Sequence, residues 1–169
     1  MQTFRSFATA LIALAALPAS LPVLAAEPTG CDHFKWPLDH EKTLLATPAP
    51  IATGDAGKLG NGENLKLVPQ ANAKLPQEPS RPPKFPDSYA GFVTLPAPAS
   101  AGSYRVTIAH GAWIDVVQDG HVLKSTDHTG AIGCDGLAKS VKFDLAATPF
   151  TVEISSSTEP SVTLVVTPN

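Results

Sequence analysis

The stretch "GSYRVTIAHGAWIDVVQDGHVLKST" (102–126) alternates apolar and polar side chains with a period of two, and this pattern decides the fold class. Tyr104, Val106 and Ile108 would lie on one face of a strand, with polar residues between them on the other. One apolar face with this period indicates a half-buried antiparallel strand, because successive side chains of a strand point to opposite faces.

A hairpin is predicted within the same stretch. Asp119-Gly120 stands between two β-rich runs, which is a strong signal for a two-residue type I′ turn. The resulting register sorts the side chains into a core face, with Ile114, Val116 and Leu123, and an opposite face, with Trp113, Asp115 and Lys124.

The alternation returns in "VKFDL" (141–145), "FTVEIS" (150–155) and "VTLVV" (162–166). Several short strands separated by turn residues predict an all-β protein, an antiparallel, jelly-roll-like β-sandwich over residues 63–169. The preceding segment, 26–62, is expected to pack on the sandwich as part of one globular domain. It contains "PLDHEKTLLAT" (37–47), which predicts a short N-terminal helix because proline and early acids suit a first helical turn.

A proline-rich run, "LPQEPSRPPKFPDS" (75–88), has no hydrophobic periodicity. Its proline content is incompatible with a regular helix or a central strand. We expect an extended connection over the protein surface. "ENLKLVP" (63–69), just before it, alternates and predicts one strand.

Residues 1–25 have the pattern of a cleavable signal peptide. Arg5 precedes an apolar run at 7–17 that is too short to span a bilayer, and small residues stand at Ala25 and Ala26. The sequence therefore predicts a soluble protein in the periplasm or secreted from the cell, without stable membrane insertion.

The charge balance excludes one class of partner. Without residues 1–25, 11 basic residues remain against 15 acidic ones. Nucleic-acid binding requires a concentrated basic surface, so no nucleic-acid partner is expected. The remaining chain is long enough for one domain with a core of its own.

Cys31 and Cys134 are the two cysteines of the chain. In an oxidising compartment an even, minimal cysteine count predicts a disulfide bond. Phe34, Trp36 and Leu38 then form an apolar set that would pack the N-terminal segment onto the sandwich.

A metal site is the alternative for the same cysteines. Cys31, His33, His128 and Cys134 could supply mixed sulfur and nitrogen ligands for zinc or copper. Their C-x-H and H-x5-C spacings match no strong zinc signature. No other cofactor is indicated, and a periplasmic metal-binding protein remains the second hypothesis.

The sequence gives little support for catalysis. Whether the chain is an enzyme stays open, and the residue patterns speak more against an enzyme than for one. His110, Asp115 and His121 could be nominated for a two-histidine, one-carboxylate iron site. His110 and Asp115 lie an odd number of residues apart, however, and would point to opposite faces of a strand. The serines lie outside any G-x-S-x-G motif. A small secreted enzyme of undetermined reaction is the third hypothesis.

Two segments, "AGFVTLPAPASAGSYRVTIAHGAWIDVVQDG" (90–120) and "GCDGLAKSVKFDLAATPFTVEIS" (133–155), carry a resemblance. With the opening "CDHFKWPLDHE" (31–41), they resemble a group of small exported proteobacterial proteins without an established function. The order of β-segments over about residues 63–168 is also similar to the prepeptidase C-terminal type of β-sandwich. That resemblance implies an accessory or binding role and transfers no catalytic residue.

The first hypothesis is therefore an exported, non-catalytic binding or envelope-accessory protein, with a protein or carbohydrate partner in the envelope. The candidate binding face is the hairpin face with Trp113, Asp115 and Lys124. A tryptophan beside charged groups combines a flat apolar surface with directional polar contacts. The competing interpretation of Trp113 is burial beneath the N-terminal segment.

Overall fold

The structure, a computed structural model, describes residues 28–169. The predicted signal peptide lies outside these residues. Within them the protein has one α-helix, α1 (Asp39–Leu45), short 3₁₀ turns at Cys31–His33 and Gln70–Asn72, and eleven strands in two sheets. In the part of the chain described, no helix has both the length and the apolar character needed to cross a membrane.

The strands form a six-stranded and a five-stranded sheet. The first contains, in spatial order, β1 (Ala49–Ala52), β2 (Glu63–Lys66), β11 (Ser161–Pro168), β5 (Gly102–Ile108), β9 (Lys139–Leu145) and β8 (Asp127–Gly130). The second contains β3 (Val68–Pro69), β4 (Tyr89–Leu95), β10 (Phe150–Ser157), β6 (Trp113–Gln118) and β7 (His121–Val122). All pairings between these strands are antiparallel except β1 with β2. The predicted all-β sandwich is confirmed.

The core lies between the two sheets and follows the alternation of the sequence. Each long strand contributes every second side chain to it, including Tyr104, Val106, Ile108, Ile114, Val116, Val141, Phe143, Val152, Ile154, Val162 and Leu164. Leu123, predicted on the core face of the hairpin, is partly buried against the same cluster. Burial of these apolar surfaces supplies the main driving force for the sandwich.

The hairpin also has the predicted turn. Asp119 and Gly120 both have positive φ, 51° and 79°, as a type I′ turn requires. Gln118 pairs with His121 and Val117 with Val122, which is the register expected from a two-residue loop.

Two features near the edge of the sandwich differ from expectation. The segment 63–69 is not one strand: β2 belongs to the six-stranded sheet and β3 to the five-stranded sheet, so the chain changes sheets between them. Strand β1 was not predicted, because Pro50 and its neighbours have a loop-like composition. Its position at the edge of the sheet explains why proline is tolerated there.

The N-terminal segment covers the outer face of the six-stranded sheet. Leu38, just before helix α1, and Leu45, the last residue of α1, form a second apolar cluster with Cys134, Leu137 and Val165. Phe34, Trp36 and Leu44 pack against this cluster. The predicted packing of the aromatic set is therefore confirmed, and so is the disulfide bond between Cys31 and Cys134.

Candidate functional site

The outer face of the five-stranded sheet is built from three cross-strand pairs of β6 and β10. Their outward side chains are Trp113 opposite Ser155, Asp115 opposite Glu153, and Val117 opposite Thr151. Asp115, Glu153 and Ser155 are almost fully buried, with exposed fractions of 4%, 1% and 2%. A polar, acidic surface is therefore buried at this position. Within it the carboxylates of Asp115 and Glu153 are directly opposed and repel each other.

The cover over this face is the proline-rich segment 75–88, which we name the strap. The backbone N–H of Gln77 donates to Oε1 of Glu153 at 2.8 Å. Ser80 donates twice to the Asp115 carboxylate, from its backbone N–H at 3.0 Å and from its hydroxyl. The strap is thus the predicted extended connection, held to the sheet by the two buried carboxylates.

Trp113 connects the sheet to the strap. Its indole Nε1–H donates to Oγ of Ser80 at 2.9 Å. The Arg81 guanidinium lies 4.4 Å from the centre of the indole ring, and the Lys139 ammonium lies 5.6 Å from it. Cations over an indole ring are attracted by its quadrupole, so the ring contacts one strap residue and one sheet residue.

The C-terminal half of the strap is attached at an irregularity of β10. Lys84 donates its backbone N–H to Oγ of Ser156 at 3.2 Å. Ser156 has a φ of 55°, and the pairing of β10 with β4 shifts register between Ile154 and Ser157. Such a bulge turns a side chain away from its regular direction, which brings the Ser156 hydroxyl to the strap.

Burial changes the acidity of Glu153. Loss of solvent raises the pKa of its carboxyl above the ordinary value of 4.5, the Gln77 N–H opposes this, and the Asp115 carboxylate adds to the increase. Oε2 of Glu153 and Oγ of Ser155 are both buried without a hydrogen-bond partner among the described residues. A carboxyl group with one unpartnered oxygen therefore lies beneath the strap.

The three residues proposed for the binding face have different environments. Trp113 is half-buried against Ser80 and Arg81, and the Asp115 carboxylate is occupied by Ser80. Lys124 is exposed beyond the end of β7, and no ion pair in residues 28–169 joins it to Asp115. The structure brings Trp113 and Asp115 together through Ser80 and leaves Lys124 apart.

The disulfide bond occupies the sulfur atoms of two of the four residues considered as metal ligands. The sulfur atoms of Cys31 and Cys134 are bonded to each other. His33 and His128 are both exposed, and His33 Nε2 lies 4.0 Å from the Asp32 carboxylate. Within residues 28–169 no three or more histidine, cysteine, aspartate or glutamate side chains are grouped as metal ligands.

Two further carboxylates have shifted acidity. Burial raises the pKa of Glu63, against the opposing effect of the Lys58 backbone N–H at 2.7 Å. The pKa of Asp127 is lowered by the Lys35 ammonium, which donates to it at 2.7 Å, and by the His128 backbone N–H. Glu63 contacts the 57–58 loop, and Asp127 lies on an exposed strand, so neither shares the environment of Glu153.

Two surface depressions accompany these features. One, of about 340 Å³, is lined by the N-terminal segment around Trp36 and by Leu137. The other, of about 300 Å³, is lined by residues 70–79, where the strap begins. Both are shallow beside the enclosed clefts that hold small-molecule ligands.

Ser80, Arg81 and Glu153 were not identified from the sequence. The alternation of "FTVEIS" (150–155) puts Glu153 on the face opposite Val152 and Ile154, but it gives no indication that another segment covers that face. The available signal was the apolar character of the same face, with Val117 and Val122 beside Trp113. A partly apolar outer face is expected to be covered by another part of the chain. The proline-rich segment 75–88 was a candidate for this cover, because no other position had been assigned to it.

Comparison with family models, with curated proteins and with solved structures gives no match. The resemblances described from the sequence therefore stay predictions, and the site has to be interpreted from the residues of this chain.

Proposed function

We propose that this chain is an exported, non-catalytic binding protein that acts in the periplasm or outside the cell. Its binding site would be the place where the strap meets Trp113, and its ligand an acidic saccharide of the envelope. The observation that supports this proposal is the arrangement of the indole ring with Arg81 at 4.4 Å and Lys139 at 5.6 Å.

The chemistry of this arrangement suits a carboxylated sugar. An indole offers a flat apolar surface for the C–H face of a sugar ring. An arginine guanidinium can bind a carboxylate through two parallel hydrogen bonds while it stacks on an aromatic ring. Arg81 and Lys139 place two cations beside the indole ring, where an anionic group of a ligand could be bound.

The geometry of the site favours surface binding over catalysis. The carboxylates nearest to Trp113 are committed to the strap, since Asp115 accepts two hydrogen bonds from Ser80 and Glu153 accepts one from Gln77. Trp113 is only half-buried. A ligand stacked on its exposed part would rest on the surface of the protein.

Titration calorimetry with an oligogalacturonate as the probe tests the proposal. A malto-oligosaccharide of the same length is the uncharged control. We expect binding of the acidic probe alone, and an affinity at least about tenfold lower for Arg81→Ala, since hydrogen bonds to charged groups contribute about 1.5–3 kcal/mol.

The chain contains a matched control for this variant. Lys142, on the six-stranded sheet, lies 4.1 Å from the ring centre of Trp36 in the N-terminal segment. Lys142→Ala therefore removes a similar cation from a similar ring. That variant should bind the acidic probe like the parent. Equal binding of both saccharides, no binding of the acidic one, or equal losses in the two variants would reject the proposal.

A further inference from the structure

The strap covers a surface that is unusual for a buried interface. A stable cover normally buries apolar side chains, whereas this one encloses Asp115, Glu153 and Ser155, each at most 4% exposed. Oε2 of Glu153 and Oγ of Ser155 have no partner among the described residues. Buried polar atoms without partners disfavour the covered state, so the closed strap is opposed by the surface beneath it.

The attachment of the strap depends on the same carboxylates. Gln77 and Ser80 are bound to Glu153 and Asp115, which face each other across β6 and β10. With both carboxylates ionised, two negative charges are enclosed with neutral donors. If Glu153 takes up a proton from solvent, one charge disappears and its unpartnered oxygen can carry a hydrogen-bond donor instead.

We propose that the strap is a proton-dependent cover, which is fastened to the five-stranded sheet when Glu153 is protonated and loosened when Glu153 is ionised.

The charged surroundings of Glu153 agree with this direction. Strand β6 contributes Asp115, and strand β4 contributes the uncharged Phe92 opposite Glu153. From the strap, the Arg81 and Lys84 cations lie over the rings of Trp113 and Phe85, and Glu78 is exposed. Burial and the charge of Asp115 raise the pKa of Glu153.

The sign of the effect follows from linkage. A raised pKa in the covered state means that this state holds more protons than the open state between the ordinary value of 4.5 and the raised value. The covered state therefore becomes more favourable as the pH falls through this window. It becomes less favourable as the pH rises.

The consequence for binding rests on the proposed function. Arg81 belongs to the strap and Trp113 to the sheet, so the cation and the ring meet when the strap is fastened. Mild acidification would then assemble the saccharide site, and a pH above the window would take it apart.

Fluorescence of Trp113 reports the state of the strap directly. In a Trp36→Phe background Trp113 is the one tryptophan of the chain, and acrylamide, a neutral quencher, can be used from about pH 4 to about pH 8. We expect the quenching constant to increase with pH, with a midpoint above 4.5. Glu153→Gln, which cannot ionise, should lose this pH dependence and remain weakly quenched throughout.

Two more variants make the test specific. Asp115→Asn removes the like charge, so the midpoint should shift to lower pH. Glu63→Gln is the matched control, because Glu63 is a second buried glutamate with a raised pKa in a different part of the fold, and it should leave the midpoint unchanged.

A parent protein whose quenching is independent of pH, or decreases as the pH rises, would overturn the proposal. The same holds if Glu153→Gln keeps the parental profile. If Glu153→Gln does not fold, the direction of the Asp115→Asn shift decides. Failure of oligogalacturonate binding alone would reject the proposed function and leave the quenching result standing, so the two proposals fail separately.

Discussion

The carboxylate of Glu41 on helix α1 lies 3.1 Å from the guanidinium of Arg105 on β5 and accepts a hydrogen bond from Thr167 on β11 at 2.7 Å. Glu41 is 1% exposed, so this contact places an ion pair between the helix and the outer face of the six-stranded sheet. It is the main polar attachment of α1 to the sandwich, beside the apolar contacts of Leu38 and Leu45.

Substitution of Glu41 by alanine should destabilise the protein by about 3–5 kcal/mol, because it leaves a largely buried guanidinium without its partner. Urea unfolding measures this change. Asp39→Asn, on the exposed side of the same helix, is the control and should change the stability by no more than about 0.5 kcal/mol. Equal losses in the two variants would show that the ion pair has no special contribution.

The Cys31–Cys134 disulfide bond spans 103 positions of sequence. A double serine variant should lose about 4–5 kcal/mol on the chain-entropy account of a loop of this length. Peptide mapping without reductant should show one linked pair and no free thiol. Two titratable thiols in the native protein would contradict the bond and restore the metal-ligand hypothesis for these cysteines.

Phe143 lies in the centre of the core and is 2% exposed. Phe143→Ala should reduce the free energy of unfolding by about 3–5 kcal/mol, through lost burial and the cavity left behind. Phe85→Ala in the strap, where the ring is 42% exposed, is the size-matched control. Its effect should stay within about 0.5 kcal/mol, and a similar loss there would argue against the assigned core.

Glu63 gives a prediction for the pH dependence of global stability. Burial raises its pKa above 4.5, so the folded state holds more protons than the unfolded state just above that value. Its contribution to stability is therefore present below about pH 4.5 and is lost as the pH rises through the raised pKa. Thermal unfolding at several pH values should show that Glu63→Gln loses less stability than the parent as the pH rises. The exposed Glu159→Gln should behave like the parent.

Limited proteolysis should cut first within residues 75–88 or within the glycine-rich loop 54–62. Both segments lie outside the regular strands, and local opening of such segments precedes global unfolding. First cuts within 102–118, which includes the core strand β5, would contradict the fold.

The sequence predicted those parts of the fold that depend on local periodicity. The core face of β5, the turn at Asp119-Gly120 and the packing of Trp36 all followed from spacing or turn chemistry. The parallel strand β1 and the division of 63–69 between two sheets did not, because they depend on long-range pairing that leaves no regular pattern in a short segment.

The candidate site was less predictable for the same reason. Trp113 and Asp115 could be placed on one face, but their contacts with Ser80 join residues that are at least 33 positions apart. A proline-rich segment has no periodicity that would indicate which surface it covers. The buried environment of Glu153 could be recognised only after the strap had been placed.

The positions of β10 and β11 have a consequence for the order of folding. Each lies in the interior of its sheet, β10 between β4 and β6 and β11 between β2 and β5, although both follow all the other strands in the chain. A chain that emerges from its N-terminus onward has Cys31 and Cys134 available to each other before residues 150–168 appear. The covalent link can thus form while both sheets still lack a central strand. If β4 pairs with β6, or β2 with β5, before that strand arrives, the pair has to open again before the native sandwich can form.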